Sequence, residues 1–455
     1  PAEDPEVPRP CDEAVAADPE WARAFEARAQ VLNAIAEGVR RRGGDFEPWA
    51  RRTIEDARRA LELDRDLLGA PLALAGAHRS RAVALETSDR DASEPVLAAI
   101  RVLERLVERH PLFVPARVDL GSTWARRAYN LEDLGEDPTE AYREAFTHYR
   151  EAIDLAPSIP RLHARLGLVS TAYGERLHRR GEDPGRVFAA ADEALERAAE
   201  LQPDEGLTFS VLGYAAWARA RWEWTAGGDA GHHFTRAADW MKRALELDPD
   251  HMITHSNLAQ MQGIHSWYLM EEGRIEEAGQ VLESAREALE DLKELAPEQT
   301  PCLEAGIEYE AGFLDLIREP EVAAEHFRRA MTLSAEGRKT FPRSCALNAG
   351  WAHLGLARWR REEGLPPANH VQQGLEASEE ILSANPESST ARELRANLFL
   401  ERARSTRDPE LRRERSRRAL EAFEEWFQYS PTWESVHQDL VEEARRLADE
   451  EGVQE

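Results

Sequence analysis

The side chains best suited to molecular recognition are concentrated in one short segment, residues 213–224, which reads GYAAWARARWEW. Tyr214, Trp217, Arg221 and Trp224 follow one another at spacings of three, four and three residues, which places them along one stripe of a helix. Aromatic and arginine side chains are enriched where proteins contact one another. Two interpretations stay open: the stripe binds a partner, or its tryptophans pack between neighbouring helices.

Metal or nucleophilic chemistry has weaker support. His251 and His255 stand four residues apart, on one helix face, and His265 follows ten residues later, so an enzyme with a metal at these histidines is one alternative. The sequence lacks the phosphate-binding loops, the nucleophile elbow, the zinc-protease motif and the kinase catalytic triplets. We therefore expect no catalytic residue, no metal and no cofactor, and we expect Cys302 and Cys345 to be small core residues.

The charge balance limits the classes of partner. The 455 residues include 86 acidic and 58 basic side chains, for a net charge of -28. A field of this sign repels phosphate, which argues against nucleic acid and anionic membranes as partners. The sequence has no run of 18 apolar residues and no close cysteine pair, so we expect a protein of the reducing cytoplasm. Adjacent carboxylates such as Glu271 and Glu272 are interpreted as solvated helix faces.

A phrase that ends in proline recurs along the chain. It reads REAIDLAP up to Pro157, ERAAELQP up to Pro203 and KRALELDP up to Pro249, at intervals of 46 residues. The same slot falls at positions 19, 65, 111, 157, 203, 249, 297, 342, 386 and 431, with proline at all of them except 65. The intervals are 46 residues up to position 249 and 44 to 48 residues beyond it. A nearly constant period of this length indicates an array of structural repeats.

Two further columns keep the same period. The first is a leucine followed by a small residue, at Leu74, Leu120, Leu166, Leu212 and Leu258. The second alternates small and large residues ahead of each proline, as in Ala145, Tyr149 and Ala152 before Pro157. Spacings of four and three residues put this series on one helical face, where small residues let two helices approach closely.

These columns resemble the tetratricopeptide repeat family, in which a Leu-Gly pair on one helix precedes a small–aromatic–small series and a closing proline on the next. The best match is formed by Leu166, Gly167, Ala191, Leu195, Ala198 and Pro203. The resemblance implies an all-α fold, a right-handed α-solenoid of antiparallel helical hairpins. Because the repeat spans 46 residues here and 34 in the family, we expect elongated helices.

The repeats also suggest the organisation of the chain. We expect residues 1–11 to be a linker and residues 12–431 to form about nine helical hairpins, preceded by a partial helix. We expect residues 432–455 to be a C-terminal capping helix and tail. The partial helix, which has no partner helix before it, leads us to expect that the array is part of a longer polypeptide.

Gly-Glu-Asp-Pro occurs twice, one period apart, and predicts the tips of hairpins. Gly135 and Gly181 suit the position after a helix, where φ is often positive. Asp137 and Asp183 suit the N-cap of the helix that follows.

In the tetratricopeptide family the first helix of each repeat lines a concave groove. Carried onto this sequence, the resemblance implies a partner-binding groove formed by Tyr214, Trp217, Arg221, Asn257, Gln260, Arg126 and Tyr129. Aromatic, arginine and amide side chains suit the recognition of a peptide. One branch of the family grips C-terminal carboxylates with lysine, asparagine and arginine. Only Asn257 stands at a comparable place and the lysines are missing, so we do not expect that ligand.

Taken together, the sequence favours a non-enzymatic scaffold that binds a protein or peptide, and it leaves the oligomeric state open. The long repeat with Gly-Glu-Asp-Pro tips also resembles regions that follow the catalytic domain in bacterial Hanks-type serine/threonine kinases. That resemblance implies a regulatory or recruitment arm of a signalling protein. The alternatives are the sensor arm of a nucleotide-switching (STAND-type) ATPase and the metal-dependent enzyme described above.

Overall fold

Helices form all of the regular secondary structure in the computed structural model, which describes residues 9–42, 44–86, 90–134 and 136–449. The α-helices are α1 (Arg9–Ala17), α2 (Ala22–Arg41), α3 (Glu47–Leu63), α4 (Gly69–Glu86), α5 (Ser93–Arg109), α6 (Val114–Asp133), α7 (Thr139–Leu155), α8 (Pro160–Arg179), α9 (Gly185–Leu201), α10 (Gly206–Ala226), α11 (Ala230–Leu247), α12 (Met252–Glu271), α13 (Ile275–Leu295), α14 (Thr300–Arg318), α15 (Pro320–Gly337), α16 (Pro342–Glu362), α17 (Ala368–Ala384), α18 (Ser389–Arg404), α19 (Pro409–Tyr429) and α20 (Gln438–Asp449). Short 3₁₀ helices occupy Pro297–Gln299 and Pro431–Trp433. Within the described ranges, no helix combines the length and the apolar character that crossing a membrane requires.

Consecutive helices pair into hairpins. Contacts join α2 with α3, α4 with α5, α6 with α7, α10 with α11, α12 with α13, α14 with α15, α16 with α17, and α18 with α19. Gly174 of α8 lies beside Phe188 of α9. Because the connections are short, the two helices of each hairpin run antiparallel. In the hairpin of α14 and α15, Glu319 alone joins the helices.

The hairpins stack side by side. The chain divides into two units, residues 1–170 and residues 171–455, with the boundary inside α8. In unit 1, the first helices of successive hairpins contact one another, α2 with α4 and α4 with α6. In unit 2, the same contacts join α10 with α12, α12 with α14, α14 with α16, and α16 with α18. The predicted all-α solenoid of helical hairpins is therefore confirmed.

The two sequence columns meet inside each hairpin. Ala145, Tyr149 and Ala152 of α7 are all buried. A Cβ built on Gly121 of α6 would lie 3.3 Å from the ring of Tyr149, so the glycine makes room for the large residue of the partner helix. Gly213 of α10 likewise leaves room for Met241 of α11, so a small residue after the column leucine allows close approach of the two helices in both hairpins.

The hairpin tips follow the expected turn chemistry. Gly181 has a φ of 73°, as predicted for the residue after a helix, whereas Gly135 lies outside the described residues. Asp183 Oδ1 accepts a hydrogen bond from the backbone N–H of Gly185 at 2.9 Å, and Asp137 does the same for the helix that begins at Thr139. In both hairpins a proline separates the aspartate from its helix, so the aspartate stands one residue earlier than the predicted N-cap position.

The chain after α19 returns to the beginning of unit 2. We call residues 431–449 the C-terminal segment. The ring of Trp433 lies 5.0 Å from that of Trp224 at the end of α10, and Ser435 Oγ donates a hydrogen bond to the carbonyl oxygen of Thr225 at 3.1 Å. Its helix, α20, packs against α19 and α18. At the other end of the chain, α1 already begins at Arg9, inside the stretch predicted as a linker.

Candidate ligand-binding cavity

Unit 2 contains a cavity of about 470 Å³. Side chains of the first helices α10, α12, α14, α16 and α18 line it, and the C-terminal segment contributes Trp433 and His437. Because first helices stack on first helices, one inner face collects residues from five successive hairpins. The volume is in the range of sites that hold small ligands or single side chains of a partner.

Aromatic rings form much of the cavity wall. Trp224, Trp267, Tyr309, Trp351 and Trp433 all line it. The Trp224 and Trp433 rings are 5.0 Å apart and meet edge to face, and the Trp267 and Trp351 rings are 6.0 Å apart. Tyr309 stacks on Trp351 at 6.3 Å. The rings that line the cavity therefore also pack against one another, in the edge-to-face and stacked arrangements that aromatic pairs prefer.

Three glutamates, one each from α12, α14 and α18, share the cavity: Glu271, Glu310 and Glu393. Glu271 accepts a hydrogen bond from the indole N–H of Trp267 at 3.2 Å. Glu271 is exposed, in agreement with its interpretation as a solvated helix residue, and it also lines the cavity. Glu310 is only 7% exposed, and a Cβ built on Gly263 of α12 would come within 2.8 Å of its carboxyl carbon. Glycine at position 263 thus leaves space for the carboxyl group.

The cavity walls desolvate these carboxyl groups and make them weaker acids, least so for the exposed Glu271. Desolvation raises the pKa of Glu271 to about 7 and the pKa of Glu310 and of Glu393 to about 8. Repulsion from Glu271 adds to the pKa rise of Glu393, while the guanidinium group of Arg221 opposes it. At neutral pH the empty cavity therefore keeps a large part of its acidic groups protonated.

His437 is a buried imidazole on the cavity wall. It is 7% exposed and lies between the rings of Trp426 at 5.0 Å and Trp433 at 5.8 Å. Burial lowers its pKa to about 4, so the ring is neutral at physiological pH. Its Nε2 atom has no hydrogen-bond partner within the described part of the chain. A buried polar atom without a partner is costly, so a hydrogen bond to this nitrogen would stabilise a ligand whose entry shifts the neighbouring rings enough to reach it.

Some of the predicted groove residues of α10 and α12 line the cavity, and others pack against the hydrophobic core. Arg221 and Gln260 line the cavity. Tyr214 and Trp217 are half-buried and pack against the hydrophobic core of α10 to α14, with their rings 5.8 Å apart. The guanidinium of Arg221 lies 5.1 Å from the ring centroid of Trp217, and Tyr214 donates a hydrogen bond to Glu175. Asn257 is half-buried on α12.

Arg126 and Tyr129 belong to unit 1 and line a separate cavity of about 440 Å³. Arg126 forms an ion pair with Glu86, and the ring of Tyr129 meets that of Tyr142 edge to face at 6.2 Å. The described residues that line this cavity include six arginines and two acidic residues, Glu37 and Asp119; the arginines are Arg40, Arg41, Arg79, Arg126, Arg161 and Arg165. Of the predicted groove residues, Arg126 and Tyr129 thus line a cavity of unit 1, and Arg221 and Gln260 line the cavity of unit 2.

The three histidines proposed as metal ligands have separate partners. His251 Nδ1 lies 2.6 Å from the hydroxyl of Thr254, and His255 Nε2 lies 2.8 Å from a backbone carbonyl oxygen. His265 is buried and stacks on Phe234 at 4.9 Å, and burial lowers its pKa to about 4. Across the described ranges, no three His, Cys, Asp or Glu side chains are placed to hold a metal ion.

Sequence reasoning did not identify Glu310, Glu393 or the other residues of α14 to α18 that line the cavity. The sequence does contain a signal for the helices that carry them. Each of these first helices, α14, α16 and α18, begins within three residues of a proline slot, at 297, 342 and 386.

The fold places the chain among α-solenoids built from helical hairpins. No protein-family model and no curated protein matches the sequence. Among solved structures, yeast Tom70 is 13% identical, with 96% of this chain and 84% of Tom70 covered and a TM-score of 0.43. YrrB, described as a TPR protein with an unusual peptide-binding site, is 15% identical, with coverages of 54% and 95% and a TM-score of 0.33. The Cut9–Hcn1 hetero-tetramer of the APC/C is 12% identical, with coverages of 96% and 73% and a TM-score of 0.37.

Proposed function

We propose that this chain is a non-enzymatic binding protein and that the cavity of unit 2 receives an exposed segment of a protein partner. The observation that supports the proposal is the composition of the cavity. Aromatic rings from several hairpins surround it, and Arg221, Gln260 and Asn348 add donors and acceptors at its wall. Aromatic and arginine side chains dominate the energetics of protein recognition.

The size of the cavity defines what part of a partner would enter. About 470 Å³ accommodates one or a few side chains, whereas a folded domain is far larger. The partner would therefore insert side chains from an extended segment. In this proposal Arg221 and Gln260 contact the segment directly, and Tyr214 and Trp217 support them from beneath, since Trp217 packs against the guanidinium of Arg221.

A cavity-filling variant tests the proposal. Gly306 lies on the wall, and a Cβ built there meets only Asn348 Nδ2, at 3.7 Å. Gly306→Leu should fill part of the cavity, whereas Gly306→Ala adds a single methyl group and serves as the matched control. Peptides selected on the wild-type chain from a random display library should bind the alanine variant and fail to bind the leucine variant. Peptides that bind all three proteins equally would contradict the proposal.

The arginine-rich cavity of unit 1 is proposed as a second contact, for acidic groups of a partner. Its arginines outnumber its carboxylates, although the whole chain is acidic. Arg126→Glu should weaken selected peptides that carry aspartate or glutamate. The same substitution should not change the affinity of peptides whose binding is blocked by Gly306→Leu. Equal loss of both peptide classes would contradict the assignment of two separate contacts.

We further propose that the array is the regulatory or recruitment arm of a bacterial signalling protein such as a serine/threonine kinase. The 46-residue repeat and its Gly-Glu-Asp-Pro tips support this proposal. Immunoblotting of source cells should reveal a polypeptide well above 51.3 kDa, and sequencing of its remainder should show kinase motifs. A phosphate-binding loop there would favour the nucleotide-switching ATPase, and a native mass of 51.3 kDa would contradict both.

A further inference from the structure

We propose that the unit 2 cavity recognises an organic cation, the ammonium or guanidinium group of a lysine or arginine side chain on the inserted segment. This inference rests on the proposed function, because it names the chemistry of the group that the segment presents. The observations behind it are independent of that function: the charges, the aromatic faces and an unsatisfied acceptor at the same cavity wall.

The first observation is the excess of acidic groups. Glu271, Glu310 and Glu393 line the cavity, and Arg221 is the one lysine or arginine among its lining residues. The glutamates come from three different helices, so no single sequence feature explains their convergence. They are not gathered into a metal-ligating cluster within the described residues. Spread over the wall, they suit a cation with several donors, which the terminal group of a lysine or arginine provides.

The second observation is the aromatic lining. Trp224, Trp267, Tyr309, Trp351 and Trp433 surround the same volume as the glutamates. The negative face of an aromatic ring attracts a cation, and tryptophan does so most strongly. Rings also cover the aliphatic stem of a long basic side chain while its charged end remains hydrogen-bonded. A wall of rings and carboxylates is thus complementary to both parts of lysine and arginine.

The third observation is the unsatisfied imidazole nitrogen. His437 lines the cavity, is more than nine-tenths buried, and has no hydrogen-bond partner for Nε2 in the described ranges. A neutral imidazole has one acceptor nitrogen, and an ammonium or guanidinium group carries only donors. In the tautomer that carries its proton on Nδ1, Nε2 accepts a hydrogen bond from such a cation and gains the partner that it lacks in the empty protein.

The charge state of the cavity also depends on the ligand. The ionisable groups that line it are Arg221 on α10, Glu271 on α12, Cys302, Tyr309 and Glu310 on α14, Glu393 on α18, and His437 before α20. Glu310 and Glu393, with pKa values of about 8, are largely protonated in the empty cavity at pH 7. A bound cation favours their ionised form, so binding releases protons. Affinity should rise with pH by about tenfold per pH unit for each proton released, and should level off above pH 8 to 9.

The test uses small capped amino acids as probes. N-acetyl-lysine methylamide and N-acetyl-arginine methylamide carry the cation, N-acetyl-norleucine methylamide is the neutral isostere, and alanine amide offers only a free amino terminus. Titrations followed by tryptophan fluorescence and calorimetry at pH 6 to 9 give the affinities. The wild-type chain should bind the lysine or arginine probe at least tenfold more tightly than norleucine, with affinity increasing with pH. Preference for alanine amide would show that the cavity reads a free amino terminus and would overturn the assignment to a side chain.

Matched variants separate the cavity from the general attraction of an acidic protein. Glu310→Gln should reduce the affinity for the cationic probe about tenfold or more, and Glu393→Gln provides a second variant should Glu310→Gln fold poorly. Glu276→Gln removes the same charge from an exposed side chain of α13 and should leave affinity unchanged. Equal losses in the cavity and surface variants, or equal binding of lysine and norleucine, would overturn the inference.

The two proposals fail in different ways. If the display selection yields cavity-dependent peptides that lack lysine and arginine, the segment-binding function holds and the cation inference is wrong. If the capped cations bind in a Glu310-dependent manner but no peptide is selected, the cation inference holds and the segment-binding function is wrong.

Discussion

Glu310→Gln replaces the most buried carboxyl group of the cavity by a neutral amide of nearly the same shape, and its effect on stability should depend on pH. In the folded chain, burial raises the pKa of Glu310 to about 8, from an ordinary value of 4.5. At pH values between these two pKa values, Glu310 keeps its proton in the folded chain and releases it in the unfolded chain. Raising the pH therefore favours unfolding of the wild type, and glutamine shows no such change because it does not titrate.

The magnitude follows from the shift. A rise from 4.5 to about 8, at roughly 1.4 kcal/mol per pKa unit, corresponds to at most about 5 kcal/mol. This contribution is fully present below pH 4.5 and is lost as the pH rises through about 8. Relative to Glu310→Gln, the wild type should become less stable by about 1.4 kcal/mol for each pH unit within this window.

The assay is urea unfolding of wild type and variant at pH 5, 6, 7, 8 and 9, followed by the tryptophan fluorescence of unit 2. The quantity of interest is the difference in unfolding free energy between the two proteins at each pH. Glu276→Gln, which changes an exposed side chain, should give a difference that is nearly independent of pH. A flat difference for Glu310→Gln, or one that favours the wild type as pH rises, would refute the assignment of Glu310 as a buried, protonated acid.

Two further predictions concern packing and thiol chemistry. Gly213→Ala should destabilise unit 2 by about 1–2 kcal/mol in urea unfolding, because its Cβ would lie 3.0 Å from a backbone oxygen of α11 and 3.2 Å from Met241 Cε. Gly306→Ala meets no such obstacle and should stabilise unit 2 by up to about 1 kcal/mol. Equal effects of the two substitutions on the unfolding free energy would contradict the packing. Cys345 is buried and burial raises the pKa of its thiol, so a thiol reagent should modify it only after unfolding. Rapid labelling of Cys345 in the native chain, located by peptide mass spectrometry, would contradict its burial.

The fold was largely predictable because the residues that pack together in a hairpin lie within the same repeat of the sequence. The small–large–small series and the Leu-Gly pair lie on neighbouring helices of one hairpin, so the contact between Gly121 and Tyr149 depends on residues only 28 positions apart. Local periodicity determines such contacts, and it recurs in every copy. The tips were predictable for the same reason, since Gly181 needs positive φ whatever the distant surroundings are.

The site was only partly predictable, because it depends on contacts that periodicity does not encode. Trp433 and Ser435 reach α10 across more than 200 residues, and no repeat column contains them. Without that contact the sequence gives no reason to place His437 beside Glu271 in one cavity. The family-based groove makes no distinction between positions that line the cavity, such as Arg221, and positions that pack against the core, such as Trp217.

Glu310 shows that the composition of an acidic chain does not identify which of its glutamates are buried. With 86 acidic residues, any single glutamate is expected on a solvated surface. Its burial follows from Gly263 on the neighbouring helix, which leaves room for the carboxyl group. Neither residue is unusual alone, and only the stacking of α12 on α14 brings them together.

The central claim is that the unit 2 cavity holds a basic side chain of a partner segment. The most direct measurement is a crystal structure of the chain with the tightest peptide from the display selection. The account predicts a lysine or arginine side chain inside the cavity, with its charged group within about 4 Å of the carboxyl group of Glu310. A peptide seated on another face, or an uncharged side chain filling the cavity, would contradict the account.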